Sequence, residues 1–97
     1  MKSTTDAGIP FHLVLRTRRQ ELRLLQADVA ELLHVSPECI TLWESGRRRM
    51  DLAKVPRLAA ALKLDPHELC AKALAEFYPN VYVALFESQP QLQRKLA

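Results

Sequence analysis

Apolar residues recur at three- and four-residue spacing along most of the chain, and that period predicts helices. Phe11, Leu15, Arg19 and Leu22 fall on one face of a first helix over residues 10–23, with Arg16, Thr17 and Arg18 on the other. Leu24 and Leu25 connect it to a second helix over 26–33, whose apolar stripe is Val29, Ala30, Leu32 and Leu33. His34 and Val35 make a tight turn. Ser36 then reads as an N-cap, with Pro37 at the first helical position. A third helix over 37–45 faces Ile40 and Trp43 inward and stops at Gly46.

Asp51 caps a fourth helix over 51–62, carrying Leu52, Val55, Leu58, Ala59 and Leu62 on one face. Pro56 is tolerable only near the first turn, so its regular part begins at Val55 or Pro56. Asp65, Pro66 and Glu68 form a helix-start signal close to a capping box. They open a fifth helix over 66–78 that buries Leu69, Ala73 and Phe77 and breaks at Pro79. Residues 80–87 are ambiguous. Val81, Tyr82 and Val83 have β propensity, whereas Tyr82, Leu85 and Phe86 fit a helical face, and a short sixth helix is favoured. Residues 88–97 are polar and read as loose.

Composition narrows the class. Ninety-seven residues argue for one domain, able to bury a core of its own. Only two glycines speak against an all-β fold, which needs many tight turns. No apolar run reaches the ~20 residues that span a bilayer. The first ten residues lack a signal-peptide core, so a cytoplasmic location is expected. Cys39 and Cys70 make no disulfide framework. The net charge is +3 and the pI about 9.1. Residues 1–57 hold ten Lys or Arg against seven Asp or Glu, while 58–97 hold four of each. The positive excess lies where a nucleic-acid face would need it, although charge alone fits a solvated surface as well.

The second helix, turn and third helix form the one specific constellation. Two short helices crossing steeply need a small residue at the crossing, and Ala30 is small. Val35, Ile40 and Trp43 anchor the third helix, leaving Pro37, Glu38, Thr41, Leu42 and Ser45 outward. A helix pinned this way presents its N-terminal half as a ridge that fits a major groove about 12 Å wide.

Residues 26–36 and 40–48 resemble the helix-turn-helix of lambdoid phage repressor and Cro proteins, whose bacterial members are called the xenobiotic-response-element (XRE) family. The likeness runs without gaps over about 15–69 and includes Ala30, Ile40, Trp43, Glu44, Gly46 and the closing Leu58, Ala59 and Leu62. It implies an all-α, five-helix, lambda-repressor-like DNA-binding domain at 10–78. A flexible tail precedes it at 1–9, and a short C-terminal helical extension follows at 79–97. It implies that Arg19 and Glu44 pair, tying the first helix to the end of the third. Gln26 would reach a phosphate and brace the recognition helix. Ser36, Pro37, Glu38, Thr41, Leu42 and Ser45 would face the DNA, and Arg47, Arg48 and Arg49 would approach its backbone. Two departures stand out: His34 occupies a turn position usually held by glycine, and Leu25 replaces the usual Ser or Thr cap of the second helix. The recognition surface is also poor in Gln, Asn and Arg. Glu38 can accept from cytosine N4, and Leu42 and Pro37 can pack on a thymine methyl.

These readings lead to a homodimeric prokaryotic or phage transcriptional regulator, a repressor of operator DNA. It is not an enzyme and has no metal or cofactor. His12, His34 and His67 lie on different elements, and no cluster has ligand spacing. Cys39, on the recognition helix, is read as packing rather than redox-active, and Cys70 as core or dimer interface. The segment after Pro79 is more apolar than one small domain can bury, so Tyr82, Leu85 and Phe86 are expected to form the dimer interface. The competing arrangement folds Tyr82 and Phe86 back on the first and fifth helices. A rival function is an antitoxin that neutralises a partner toxin and binds DNA for autoregulation.

Overall fold

A computed structural model describes residues 8–87. The tail expected before residue 8 and the loose end expected at 88–97 lie outside the described residues. Six helices follow one another: α1 (Phe11–Glu21), α2 (Gln26–Leu33), α3 (Pro37–Glu44), α4 (Val55–Ala61), α5 (Pro66–Phe77) and α6 (Pro79–Phe86). A single 3-10 turn, Leu52–Lys54, leads into α4. No strand occurs among the described residues, so the ambiguous segment around Val81 is helical. The fold is all-α: a lambda-repressor-like arrangement of five helices with a short sixth appended.

The core is built from the predicted stripes, except that Leu32, expected inside, is exposed. Phe11 and Leu15 of α1, Val29, Ala30 and Leu33 of α2, and Ile40 and Trp43 of α3 are buried together. Val55, Leu58, Ala59 and Leu62 of the fourth helical segment and Leu69 and Ala73 of α5 complete it. Leu52 and Phe77, expected inside, are half-buried at its edge. Val14 and Met50 are also fully enclosed, although the sequence reading gave neither a core role. Pro56 sits in the first turn of α4, where no helical donor is lost.

Helix ends explain how so compact a bundle manages with two glycines. α1, α2, α3 and α4 each stop at a residue in the left-handed region: Arg23 (φ 58°), His34 (φ 58°), Gly46 (φ 78°) and Lys63 (φ 55°). In each case the next amide reaches back five residues: Leu24 to Arg19, Val35 to Ala30, Arg47 to Leu42 and Leu64 to Ala59. The left-handed residue itself donates to the carbonyl three residues back. This double closure satisfies orphan carbonyls. Leu24, Val35 and Leu64 then pack against the core, which holds the non-glycine residues in place. His34, at the turn position usually held by glycine, therefore adopts a positive φ.

Long-range caps fix α1 against its neighbours. The Phe11 amide donates to Glu76 Oε1 of α5 at 2.8 Å, so a distant carboxylate caps the helix. Arg18 Nε donates to the Leu62 carbonyl at 2.9 Å, placing a cation at the C-terminal end of α4. Phe11 also meets Phe77 edge to face, with ring centroids 5.2 Å apart.

Candidate nucleic-acid interface

The two-helix unit is assembled from short-range signals. Ala30, the small residue expected at the crossing, is 1% exposed, and α2 packs against α3. The Ser36 hydroxyl accepts from the Cys39 amide at 3.2 Å, and Pro37 opens α3. Leu25 gives α2 no side-chain cap. Asp28 instead accepts from the Leu25 amide at 2.8 Å, which supplies the reciprocal half of a capping box. With Ile40 and Trp43 buried, Ser36, Pro37, Glu38, Thr41 and Ser45 stand exposed and Leu42 is half-buried. Cys39 is half-buried and packs against the core.

A hydrogen-bonded relay crosses three helices behind this face. Arg19 Nε meets Glu44 Oε2 at 2.6 Å, and Arg19 Nη2 meets Glu44 Oε1 at 3.0 Å. Arg19 Nη1 also donates to the Leu24 carbonyl at 2.8 Å. The hydrogen bond that Arg19 donates to Glu44 raises the Arg19 pKa above its ordinary value. Gln26 Nε2 donates to Glu44 Oε1 at 3.0 Å, and Gln26 Oε1 accepts from the Thr41 hydroxyl at 2.7 Å. Gln26 thus braces α3 through two contacts. A recess of about 240 Å³ opens beside it, lined by Arg16, Arg19, Gln26, Thr41, Glu44 and Ser45. Arg16 was not among the residues singled out from the sequence. Its only signal was its place on the outer face of the first helix.

The basic loop divides. Arg47 and Arg48 both donate their amides to the Leu42 carbonyl, at 3.1 and 3.2 Å, and their side chains are exposed beyond the end of α3. Arg49 takes another course. Its guanidinium lies 5.3 Å from the ring centroids of both Phe77 and Tyr78, at the end of α5. The loop that follows α3 is thereby tied to the start of the C-terminal extension.

In that extension α6 packs on α5 of the same chain. Tyr82 is half-buried against Phe86, centroids 4.9 Å apart, and Phe86 meets His67 edge to face at 5.9 Å. Leu85 is 62% exposed, and Val81 and Val83 are also exposed. Of the three residues expected at a dimer interface, Tyr82 is half-buried against Phe86, Phe86 meets His67 of α5 yet is 43% exposed, and Leu85 faces outward.

Cys70 is half-buried beside the core, and burial pushes its thiol up. Among the described residues no group of three or more His, Cys, Asp or Glu could hold a metal ion. Among the same residues, no helix is long and apolar enough to cross a membrane.

Residues 13–71 match the family model described as a helix-turn-helix domain. The chain is also similar to an (S)-2-hydroxypropylphosphonic acid epoxidase from Streptomyces wedmorensis, 27% identical over 94 residues. That match takes in 96% of this chain and 48% of the epoxidase, so the chain spans about half the length of this curated relative. No solved structure matches significantly. The family match covers more than half of the chain and takes in both helices of the unit, their turn and the Arg19–Glu44 pair, and the chain belongs to the helix-turn-helix domain family.

Proposed function

We propose that this protein binds double-stranded DNA sequence-specifically and regulates transcription as a homodimer in a prokaryotic or phage setting, most simply as a cytoplasmic repressor. Residues 10–78 form the DNA-binding unit, and 79–97 the extension that pairs two copies. α3 enters the major groove, with Ser36, Pro37, Glu38, Thr41, Leu42 and Ser45 toward the bases and adjacent phosphates. Arg47 and Arg48 approach the backbone on one side, and Arg16 and Gln26 on the other.

The observation that carries this reading is the two-sidedness of α3. Ile40 and Trp43 are buried, the opposite face is exposed and mostly polar, and the cationic Arg16, Arg47 and Arg48 lie beside its C-terminal half. Such a face suits a helix that reads the major groove, with the cations available for phosphate contacts that set its register. The likeness to an epoxidase does not carry that reaction here. The match, over 96% of this chain, takes in the helix-turn-helix region, and the reading of a non-enzymatic domain rests on that region. The antitoxin reading rests on chain size alone and gains no support from the packing.

The test is titration of the full chain against a randomised duplex library over a series of salt concentrations. Specific binding whose log K falls linearly with log salt supports the proposal. Binding to no duplex at low salt overturns it.

A further inference from the structure

The polarity of the relay from Arg19 to Thr41 is forced at each step. A guanidinium only donates, and a carboxylate only accepts. Glu44 therefore receives Arg19 on both oxygens and requires the Gln26 amide to turn its nitrogen inward. The Gln26 oxygen must then face Thr41, whose hydroxyl lies 2.7 Å away. The other neighbour of that hydroxyl is the Pro37 carbonyl at 3.3 Å, again an acceptor. Whichever of the two is bonded, the Thr41 hydrogen is committed inside the protein. What Thr41 Oγ1 offers to solvent is lone pairs.

Resting on the proposal that α3 enters the major groove, we infer that Thr41 reads DNA only as an acceptor and selects a base bearing an exocyclic amino group. Gln26 and Glu44 are the positioning residues that impose this polarity. In the major groove such donors are adenine N6 and cytosine N4, whereas guanine and thymine present acceptors and the thymine methyl. Opposing two acceptors leaves both unsatisfied as water is expelled. Glu38, one helical turn earlier and exposed, is also acceptor-only, so successive turns of α3 favour the same base chemistry. A threonine free to rotate would show no such preference.

The test uses the full chain and a randomised duplex library, selected in parallel with wild type and Thr41→Val. The position whose preference differs between the two selections is the one beneath Thr41. Wild type should hold adenine or cytosine there, about fivefold over the other bases, as one neutral hydrogen bond allows. Replacing that base by purine or 2-pyrimidinone, which lack the amino group, should weaken wild type about fivefold and leave Thr41→Val unchanged. Gln26→Ala leaves the Pro37 carbonyl, at the longer distance of 3.3 Å, as the only inward acceptor of the hydroxyl and should weaken, without abolishing, the preference for adenine or cytosine at that position, whatever its overall affinity. Thermal denaturation of each variant confirms that it folds. A wild-type preference for guanine or thymine, no differing position, or equal loss on the analogue duplex in wild type and Thr41→Val would each overturn the inference while leaving DNA binding intact. Salt-insensitive binding, or none, overturns the underlying reading instead.

Discussion

Arg19 and Glu44 meet at two points, Nε to Oε2 at 2.6 Å and Nη2 to Oε1 at 3.0 Å, and so join α1 to the last turn of the recognition helix. Glu44 is 5% exposed and is the only buried charged residue among those described. Truncating Arg19 to Ala leaves that carboxylate enclosed without its partner. The expected cost is about 3–5 kcal/mol, against a total stability of roughly 5–15 kcal/mol for a domain. Urea denaturation checks it. The double variant Arg19→Met, Glu44→Leu should recover much of the loss, because the uncompensated charge rather than the lost attraction dominates. A single variant that melts like wild type would show the pair to be solvated.

The three loop arginines should separate by experiment. Arg47→Ala and Arg48→Ala should each flatten the salt dependence of DNA binding by about one unit per lost phosphate contact, without changing stability. Arg49 stacks on Phe77 and Tyr78, so Arg49→Ala should instead lower stability by about 0.5–1 kcal/mol. It should alter the salt slope less than the other two. Equal slopes for all three variants would place Arg49 on the backbone with its neighbours.

Helix ends allow a test in both directions. A Cβ at Gly46 would lie 3.1–3.3 Å from the His12 imidazole, at a φ of +78°. Gly46→Ala should therefore destabilise by about 1–2 kcal/mol. His34 already occupies the left-handed region without glycine's freedom, so His34→Gly should stabilise by up to about 1 kcal/mol, after the entropy glycine adds to the unfolded chain. For a domain of this size that is a rise of roughly 4–8 °C in Tm. A fall in the Tm of His34→Gly would mean that the imidazole itself supports the turn.

The residues that the pattern exposed and those it hid differ in a physical way. Apolar spacing located the helices, because burying a stripe is a local property of sequence. Ser36–Pro37 and Asp65–Pro66 marked two helix starts to the residue, because capping acts within one turn. The left-handed stops at Arg23 and Lys63 left no trace, since the packing of Leu24 and Leu64, not the residue type, holds them there. Glu76 capping Phe11 joins groups 65 residues apart, and Arg18 reaching Leu62 spans 44. Neither can be read before the helices are docked. Met50 was hidden for a related reason: it follows three arginines in a loop, and only the return of the chain over the core buries it. At the interface, resemblance gave Arg19 and Glu44 as a pair, Gln26 as a brace of the recognition helix and Thr41 as a residue facing DNA. The relay that connects them emerges only from their geometry.

Cys70 should be a slow nucleophile. Burial raises its pKa, so less thiolate is present near neutral pH than in a free thiol. Alkylation by iodoacetamide, followed by mass spectrometry of the Cys70 peptide, should proceed more slowly than with a denatured control and accelerate as pH rises above the ordinary thiol range. A rate equal to the denatured control at neutral pH would contradict the raised pKa.

α6 buries no residue of its own, so the core does not depend on it. Its rings lean on α5, yet Val81 and Leu85, four residues apart on one face of a helix of eight residues, remain exposed. A two-fold axis through this helix would cover those residues twice and could set two recognition helices about 34 Å apart, one turn of DNA. Truncation after Tyr78 keeps Arg49 stacked on both of its aromatic partners and should leave a folded protein. Sedimentation should show the shortened chain as a monomer where the full chain is a dimer. Binding to a palindromic site should fall steeply while weak half-site binding persists, because pairing two modules supplies most of the affinity. Leu85→Asp should reproduce the monomer in the full-length chain, since Leu85 faces outward and leaves the packing of Tyr82 and Phe86 on α5 undisturbed. A truncated chain that still sediments as a dimer would move the interface to another face of the bundle.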